Sequence, residues 1–167
     1  MLFFETALSK NETMACSTCH DPANGFIDKR SNTTGGAVSL GDDGFSLGDR
    51  NAPTASYAMF SPKFGKDKDG VYAGGLFHDG RATSLADQAA GPPLNPIEMG
   101  MADEASVVSR LMEDETYAAL FKALYGDTVF DDSKTAYAAM TDAIEAFEKT
   151  NEFAPFDSKY DRYLRGD

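Results

Sequence analysis

The chain has 167 residues, of which 15 are basic and 27 acidic, giving a formal net charge of −12 at pH 7. Its 42% hydrophobic and 25% charged residues are typical of a globular domain and exclude a disordered chain. The negative charge argues against nucleic acid and anionic lipid as partners, and the apolar runs are too short to predict a membrane span.

The first stretch, residues 2–20, predicts a helix, a turn near Asn11 and a second helix that carries the only two cysteines. Cys16 and Cys19 are three positions apart, and His20 follows directly. Three interpretations of this motif compete. A structural zinc site needs four ligands, but His78 is the only other histidine. A thioredoxin-like dithiol lies between a strand and a helix, and the flanking residues predict no such strand.

Haem attachment is the interpretation that accounts for every member of the motif. The two thiols add to the two vinyl groups of the haem, and the adjacent histidine ligates the iron on one face. We therefore predict one covalent c-type haem on Cys16, Cys19 and His20. Because such attachment takes place outside the bacterial cytoplasm, we expect an exported, periplasmic protein whose signal peptide is not in this chain.

The next stretch, residues 21–75, is rich in Gly, Asp, Asn, Ser and Pro and has no sustained periodicity. A loop region of this length normally indicates disorder, but aromatic residues are interspersed along it. They are Phe26, Phe45, Tyr57, Phe60, Phe64 and Tyr72. We interpret them as the inner side of long loops wrapped around the haem.

Helical periodicity begins after Asp79. Ser84 or Thr83 is expected to cap a short helix that runs through Gln88. Asp103 is the expected N-cap of a further helix, whose buried residues are Val107, Val108 and Leu111.

Two more helices are predicted towards the end of the chain. One runs from about Asp114 to Tyr125, stops at Gly126, and presents on one face Tyr117, Leu120, Phe121 and Leu124. The other begins near Ser133 and presents Tyr137, Met140, Ile144 and Phe147. Both faces are assigned to the core, because such stripes are usually buried. The prediction is a mainly α domain over residues 1–167, with long loops and little sheet.

The ordered motifs of the chain resemble those of the bacterial di-haem cytochrome c peroxidases and their MauG-like relatives. The matching segments are residues 2–5, LFFE; 14–22, MACSTCHDP; 50–54, RNAPT; 77–82, FHDGRA; 91–99, GPPLNPIEM; and 156–167, FDSKYDRYLRGD. The resemblance covers nearly the whole chain. It implies a cytochrome c-like fold, with loops wrapped around one covalently attached haem.

The family has two such domains with one haem in each. Electrons enter at the C-terminal haem, and peroxide is reduced at the N-terminal haem. This chain resembles only the N-terminal, peroxidatic domain, and it contains no second haem motif. We expect an excised or trimmed piece rather than a free-standing mono-haem protein. The implied partners are a second haem domain or a small redox protein as electron donor, and hydrogen peroxide.

Two side chains match the distal pocket of the family. Glu98 matches the acid–base glutamate, and Gln88 matches a glutamine that lines the same pocket. Outside the family context, both residues would be interpreted as surface residues. Arg81 is a candidate to pair either with Asp79 or with a haem propionate.

Calcium is doubtful as a second cofactor. Asn51 matches a residue that helps to hold calcium between the two domains of the peroxidases, but the other ligands of that site lie in the missing half. Residues 67–70, DKDG, lack the remaining spacing and the closing glutamate of a calcium loop. We interpret them as a turn.

Two departures from the family bear on function. Many family peroxidases carry a histidine in the loop before the Asn-Ala-Pro-Thr segment, which ligates the peroxidatic haem at rest and leaves on activation. The corresponding loop here, residues 39–45, has no histidine, so we expect an open distal site or a different ligand. His78 replaces a tryptophan that lies between the haems. It is a candidate for electron transfer, propionate binding or iron ligation, and a structural histidine is the commonest alternative.

Two classes of function remain. The first is an oxidoreductase domain that reduces hydrogen peroxide, or forms high-valent iron, at an open haem supplied with electrons by a partner haem. Such a domain is expected to turn over poorly on its own. The second is a non-catalytic electron carrier whose iron is closed by a methionine, with Met59, Met99 or Met101 as candidates.

Overall fold

The structure, a computed structural model, describes residues 2–167 and is mainly helical. The α-helices are α1 (Cys16–Cys19), α2 (Leu85–Ala89), α3 (Glu104–Glu113), α4 (Glu115–Tyr125), α5 (Ser133–Glu148) and α6 (Lys159–Arg165). Two short antiparallel strands, β1 (Gly65–Lys66) and β2 (Tyr72–Ala73), form a hairpin, and 3₁₀ turns occupy Leu2–Phe4, Thr6–Leu8, Pro22–Asn24, Ala58–Phe60 and Pro92–Leu94. Within residues 2–167, no helix has the length and apolarity needed to cross a membrane.

The helices of the second half begin at the predicted caps. The side chains of Ser84 and Asp103 accept hydrogen bonds from backbone N–H groups in the first turns of α2 and α3. Such caps satisfy amide groups that have no partner inside the helix. α5 packs against α2 and α3 and buries Tyr137, Met140 and Ile144 as predicted. These three helices form the helical scaffold of the domain.

The prediction for α4 is wrong for half of its apolar stripe. Phe121 is buried and Tyr117 is half-buried, but Leu120 is 51% exposed and Leu124 is 74% exposed. The reason is that α4 packs mainly on α3, so that only a narrow face of the helix is covered. Periodicity identified the helix correctly but overestimated the width of its buried face.

In the N-terminal stretch, the first predicted helix is wrong, the turn at Asn11 is confirmed, and the second predicted helix is present but shorter than expected. Leu2–Phe4 and Thr6–Leu8 are 3₁₀ turns, and α1 is a single helical turn. The carboxylate of Asp42, from a distant loop, accepts hydrogen bonds from the backbone N–H groups of Asn11 (2.6 Å) and Thr13 (3.3 Å). These tertiary hydrogen bonds hold the chain between the turn at Asn11 and the start of α1.

Asp42 is only 7% exposed and also accepts from the hydroxyls of Ser9 (2.8 Å) and Thr13 (2.6 Å). Replacing Asp42 with asparagine is expected to lower the free energy of unfolding by about 2–4 kcal/mol, because hydrogen bonds to a buried charge contribute more than neutral ones. Chemical denaturation measures this loss. The neighbouring Asp43 lies on the surface, so Asp43→Asn should cost clearly less; equal losses for the two variants would contradict the prediction.

The loops of residues 21–75 do not turn their aromatic residues inwards as expected. Only Phe26 is buried, stacked on Phe153 with ring centroids 4.3 Å apart, whereas the other five aromatic residues are exposed. Phe64 stacks on Tyr72 at 5.5 Å across the β1–β2 hairpin. The turn at residues 67–70 that joins the strands is confirmed, since the Asp67 carboxylate accepts from the N–H groups of Asp69 and Val71.

Candidate functional site

A mostly apolar cleft opens between the cysteine motif, the long loops and the helical scaffold. Cys16, Cys19 and His20 line one part of it. The segment from Arg50 to Ala55 lines another part, and α2 and α5 supply further walls. The long loops therefore surround a cavity as predicted, but through segments other than the six aromatic residues named above.

The motif presents three side chains to this cleft from one helical turn. The N–H of His20 donates to the carbonyl of Cys16 at 2.9 Å, which closes α1 and brings the histidine next to both cysteines. Nδ1 of His20 lies 3.2 Å from the carbonyl oxygen of Phe26, so a proton on Nδ1 leaves Nε2 as the ligating atom. Burial lowers the pKa of His20, although the carbonyls of Phe26 and Pro53 oppose this shift. The imidazole is thus held neutral, as a metal ligand must be.

The thiols do not have the properties of a redox-active dithiol. Burial, followed by the charge of Glu148, raises the pKa of Cys16 to about 12. Burial also raises the pKa of Cys19 to about 11, although Arg30, with Nη2 3.2 Å from the sulfur, opposes this shift. Reactive dithiols need a lowered pKa. Residues 2–167 also contain no group of three or more His, Cys, Asp or Glu residues suited to a metal ion, so a zinc site has no ligand set. An apolar cleft with two thiols beside a neutral imidazole fits a c-type haem.

Glu98 and Gln88 reach the same cleft from the opposite half of the chain. Gln88 lies on α2, and Glu98 lies in the turn that follows the 3₁₀ turn Pro92–Leu94. The side-chain amide of Asn95 donates to Oε1 of Glu98 at 2.9 Å and fixes the carboxyl group. Burial raises the pKa of Glu98, opposed by the hydrogen bond from Asn95 and by the charge of Arg81. A half-buried carboxyl with a raised pKa is suited to proton transfer.

The loop that lacks the switching histidine lies directly against this turn. The N–H of Asp42 donates to the carbonyl of Glu98 at 2.8 Å. A Cβ on Gly41 would lie 2.7 Å from the carbonyl oxygen of Ile97, so only glycine allows this approach. The loop is therefore held in place by backbone contacts and by the buried carboxylate of Asp42.

The exposed rim of the cleft carries His78 and Arg81. Nε2 of His78 lies 3.1 Å from the carbonyl oxygen of Asn51, whose side-chain amide donates to the carbonyls of Asp28 (3.2 Å) and Gly36 (2.6 Å). Asn51 thus serves to tie three loop segments together in this chain.

Arg81 pairs with Asp79 at 2.9 Å, and its guanidinium lies 3.7 Å from the centre of the Phe77 ring. The structure therefore forms the first of the two pairings proposed for Arg81.

The three candidate methionine ligands differ in position. Met99 lines the cleft and is only 3% exposed. Met101 is buried in the core, Met59 is half-buried in the 3₁₀ turn Ala58–Phe60, and neither contributes to the wall of the cleft.

Sequence reasoning missed two polar residues that the structure brings to the cleft. Asn95 was signalled by its position three residues before Glu98, a spacing typical of a turn. Glu148 follows Ile144 by four residues and so falls on the buried face of α5. It was overlooked because charged residues are usually exposed.

A family model described as di-haem cytochrome c peroxidase matches residues 1–167. The methylamine utilization protein MauG of Paracoccus denitrificans is 52% identical over 99% of this chain and 43% of the relative. The cytochrome c peroxidase Ccp of Escherichia coli is 34% identical over 99% of this chain and 30% of the relative.

Solved structures agree with these similarities. The di-haem peroxidase BthA from Burkholderia thailandensis has a TM-score of 0.89 and 33% identity, covering 98% of this chain and 40% of that protein. A MauG-like protein associated with microbial copper homeostasis has a TM-score of 0.71 and 31% identity over 99% of this chain and 42% of that protein. The chain thus spans less than half the length of these relatives. It belongs to the di-haem cytochrome c peroxidase family, which includes the MauG proteins.

Proposed function

We propose that the chain is a haem c domain that reduces hydrogen peroxide at an open iron position in the cleft. Cys16 and Cys19 would hold the haem through thioether bonds, and Nε2 of His20 would ligate the iron. The bound haem would supply a redox-active iron that passes electrons to peroxide. The observation that carries the proposal is that Glu98, a half-buried carboxyl with a raised pKa, lines the same cleft as His20.

Glu98 has the position and chemistry for the proton transfer in this reaction. Cleavage of the O–O bond requires a proton to move from the oxygen nearer the iron to the farther oxygen. The carboxylate of Glu98 accepts the first proton and returns it to the leaving oxygen, while Asn95 keeps the carboxyl group oriented. The side-chain amide of Gln88 donates a hydrogen bond to the peroxide and stabilises the charge that develops there.

The loop of residues 39–45 supports an iron position that needs no activating rearrangement. It carries no histidine, and Asp42 fixes it to the N-terminal segment and to the backbone of Glu98. The proton-transfer group is therefore in place before peroxide arrives, which is the condition for electrostatic preorganisation.

The missing electron source is proposed to be a second haem domain, as in a family whose members are described as di-haem. An aromatic cluster of Tyr57, Phe60 and Phe156 is exposed, with ring centroids 5.1–6.5 Å apart, and α6 exposes Tyr160 and Leu164. This exposed apolar surface supports a docking site for that domain, since the chain covers less than half of its relatives. His78 and Arg81, on the rim, are proposed to lie on the electron path or against the haem propionates. Because thioether attachment takes place outside the bacterial cytoplasm, the protein is proposed to be periplasmic.

Met99 supports the second candidate function. Its side chain lines the cleft next to Glu98, so a thioether ligand from Met99 would close the iron and leave an electron-transfer cytochrome. Such a protein would have a high reduction potential and would not react with peroxide. The two candidate functions therefore differ in whether the haem-loaded protein reacts with peroxide, which is directly measurable.

The proposed dependence on a partner haem is tested by comparing two haem-loaded forms, the 167-residue chain and a longer form that includes the second haem domain. Both are expected to react with one equivalent of hydrogen peroxide in a stopped-flow experiment. Only the longer form is expected to sustain many turnovers with a small electron-donor protein. Equal steady-state rates would show that the chain receives electrons without a partner haem.

A further inference from the structure

The last residue of α5 places a carboxyl group in the wall of the cleft without an evident use in peroxide chemistry. Glu148 is 6% exposed, and its Oε2 has no hydrogen-bond partner within residues 2–167. It lines the same cleft as Ile144, one helical turn earlier, and its charge acts on the thiol of Cys16. A buried carboxyl group without a partner is costly, which makes its protonation state responsive to nearby charge.

Within residues 2–167, no ion pair fixes Glu148 in its charged form, and of the arginines that line the cleft, Arg81 is paired with Asp79. On α5 itself, Glu145 accepts from the N–H of Ala86 at 2.8 Å and forms an ion pair with Lys149, so the basic residue that directly follows Glu148 is already engaged. The Leu2–Phe4 turn, which packs against α5, has no ionisable side chain. Burial, followed by repulsion from Glu145, raises the pKa of Glu148 to about 7.

The ionisable side chains on the other helices that pack against α5 interact with groups other than Glu148. On α2, Asp87 accepts from the N–H of Thr83 at 2.7 Å, at the exposed start of the helix. On α3, Glu104 acts on Tyr137, three turns before Glu148 along α5, and Arg110 forms an ion pair with Glu12. On α1, the Cys16 thiol would become an uncharged thioether on haem attachment. The charge of Glu148 is therefore left facing the cleft.

We propose that Glu148 is a redox-linked proton-binding site beside the haem, a proposal that rests on the haem position given under the proposed function. When the iron accepts one electron from its donor, the Glu148 carboxylate takes up one proton from solvent, and oxidation of the iron releases that proton. In the reduction, Fe(III) and the Glu148 carboxylate take up one electron and one proton and become Fe(II) and the Glu148 carboxylic acid.

The physical basis is the change in charge of the iron. Ferric haem carries one more positive charge than ferrous haem, so it stabilises a nearby carboxylate in a medium of low dielectric constant. Reduction removes this attraction and raises the proton affinity of the carboxyl group. The reduction potential must then fall as the pH rises through the pKa of Glu148, because the carboxylate favours the ferric state.

The test is a spectroelectrochemical titration of the haem-loaded chain from roughly pH 5 to pH 9. The wild-type potential is expected to fall most steeply near neutral pH. In the plot of reduction potential against pH, Glu148→Gln should remove this steep region. At high pH, the potential of this variant should be higher than that of the wild type. The matched control is Glu152→Gln, because Glu152 is an exposed glutamate four residues further on, and this variant should follow the wild type. Parallel curves for wild type and Glu148→Gln would overturn the proposal.

Two further measurements keep the proposal testable if Glu148→Gln does not fold. Glu145→Gln removes the repulsion that Glu145 exerts on Glu148, so the steep region should move to lower pH. An unmoved region would contradict the proposal. Redox-difference infrared spectra of the wild type should show a protonated carboxylic acid carbonyl appearing on reduction, and no such band would also overturn it. Failure to bind a covalent haem would instead refute the proposed function.

Discussion

Replacing Glu98 with glutamine is expected to slow the reaction of the haem-loaded chain with hydrogen peroxide by about 10²–10⁴-fold. Glutamine keeps the size of the side chain and its contact with Asn95 but has no basic oxygen to accept the peroxide proton. Stopped-flow absorbance at the haem band measures the rate. Cyanide binding to the ferric protein should change much less, because it needs the open iron position more than the proton relay.

The rate of the wild-type reaction should depend on pH through the same carboxyl group. Glu98 acts as a base only when it is ionised, and its raised pKa means that the carboxylate is lost at a higher pH than for an ordinary glutamate. The rate should therefore fall as the pH drops through that raised value, and Glu98→Gln should lose this limb of the profile. A Glu152→Gln control, at an exposed position, should keep both the rate and the profile. A Glu98→Gln variant that reacts at the wild-type rate would remove Glu98 from the mechanism.

Replacing both cysteines of the motif with alanine is expected to abolish covalent haem attachment completely. Cys16 and Cys19 are the only thiols of the chain, and both line the cleft that contains His20. Extraction with acidified organic solvent should remove all haem from the double variant and none from the wild type. Each single variant should retain one thioether bond and show a shifted pyridine haemochrome spectrum, because one vinyl group stays unsaturated.

Ser17→Ala is a suitable control for these variants. Ser17 lies between the two cysteines in α1 and has no assigned part in holding the haem, so haem attachment should be unchanged. If the double cysteine variant kept its haem through denaturation, another residue would have to carry the covalent bond, and the assignment of the motif would be wrong.

The helical scaffold could be predicted because its signals are local. α3 and α5 combine a capping aspartate, at Asp103 and Asp132, with an apolar stripe of helical period, and both features act within a few residues. The exposed half of the α4 stripe could not be predicted, because its burial depends on how far a neighbouring helix extends over it. Leu124 satisfies the same periodicity as Phe121, but nothing within residues 2–167 covers it and it is 74% exposed.

The N-terminal segment shows where local reasoning fails. Asp42, which is separated from Asn11 by 31 residues, holds the turn at Asn11 through a hydrogen bond that no local signal contains. Long-range contacts of this kind are not encoded in periodicity or capping.

Some residues of the candidate site could be predicted from local sequence and others could not. The cysteine–histidine motif is contiguous in sequence, and its chemistry dictates its spacing. Glu98 and Gln88 were recognised only through the family resemblance, because a glutamate in a loop carries no local signal of burial. Glu148 was not recognised at all, since a charged residue at the end of a helix is usually solvated and only the folded chain shows its carboxyl group in the cleft.

The optical spectrum of the ferric, haem-loaded chain tests the central claim most directly. A haem ligated by His20 alone, with an open position beside Glu98, predicts a high-spin spectrum that changes rapidly on addition of hydrogen peroxide or cyanide. A low-spin spectrum of the histidine–methionine type, unchanged by added peroxide, would show that a ligand such as Met99 closes the iron and would contradict the peroxidase account.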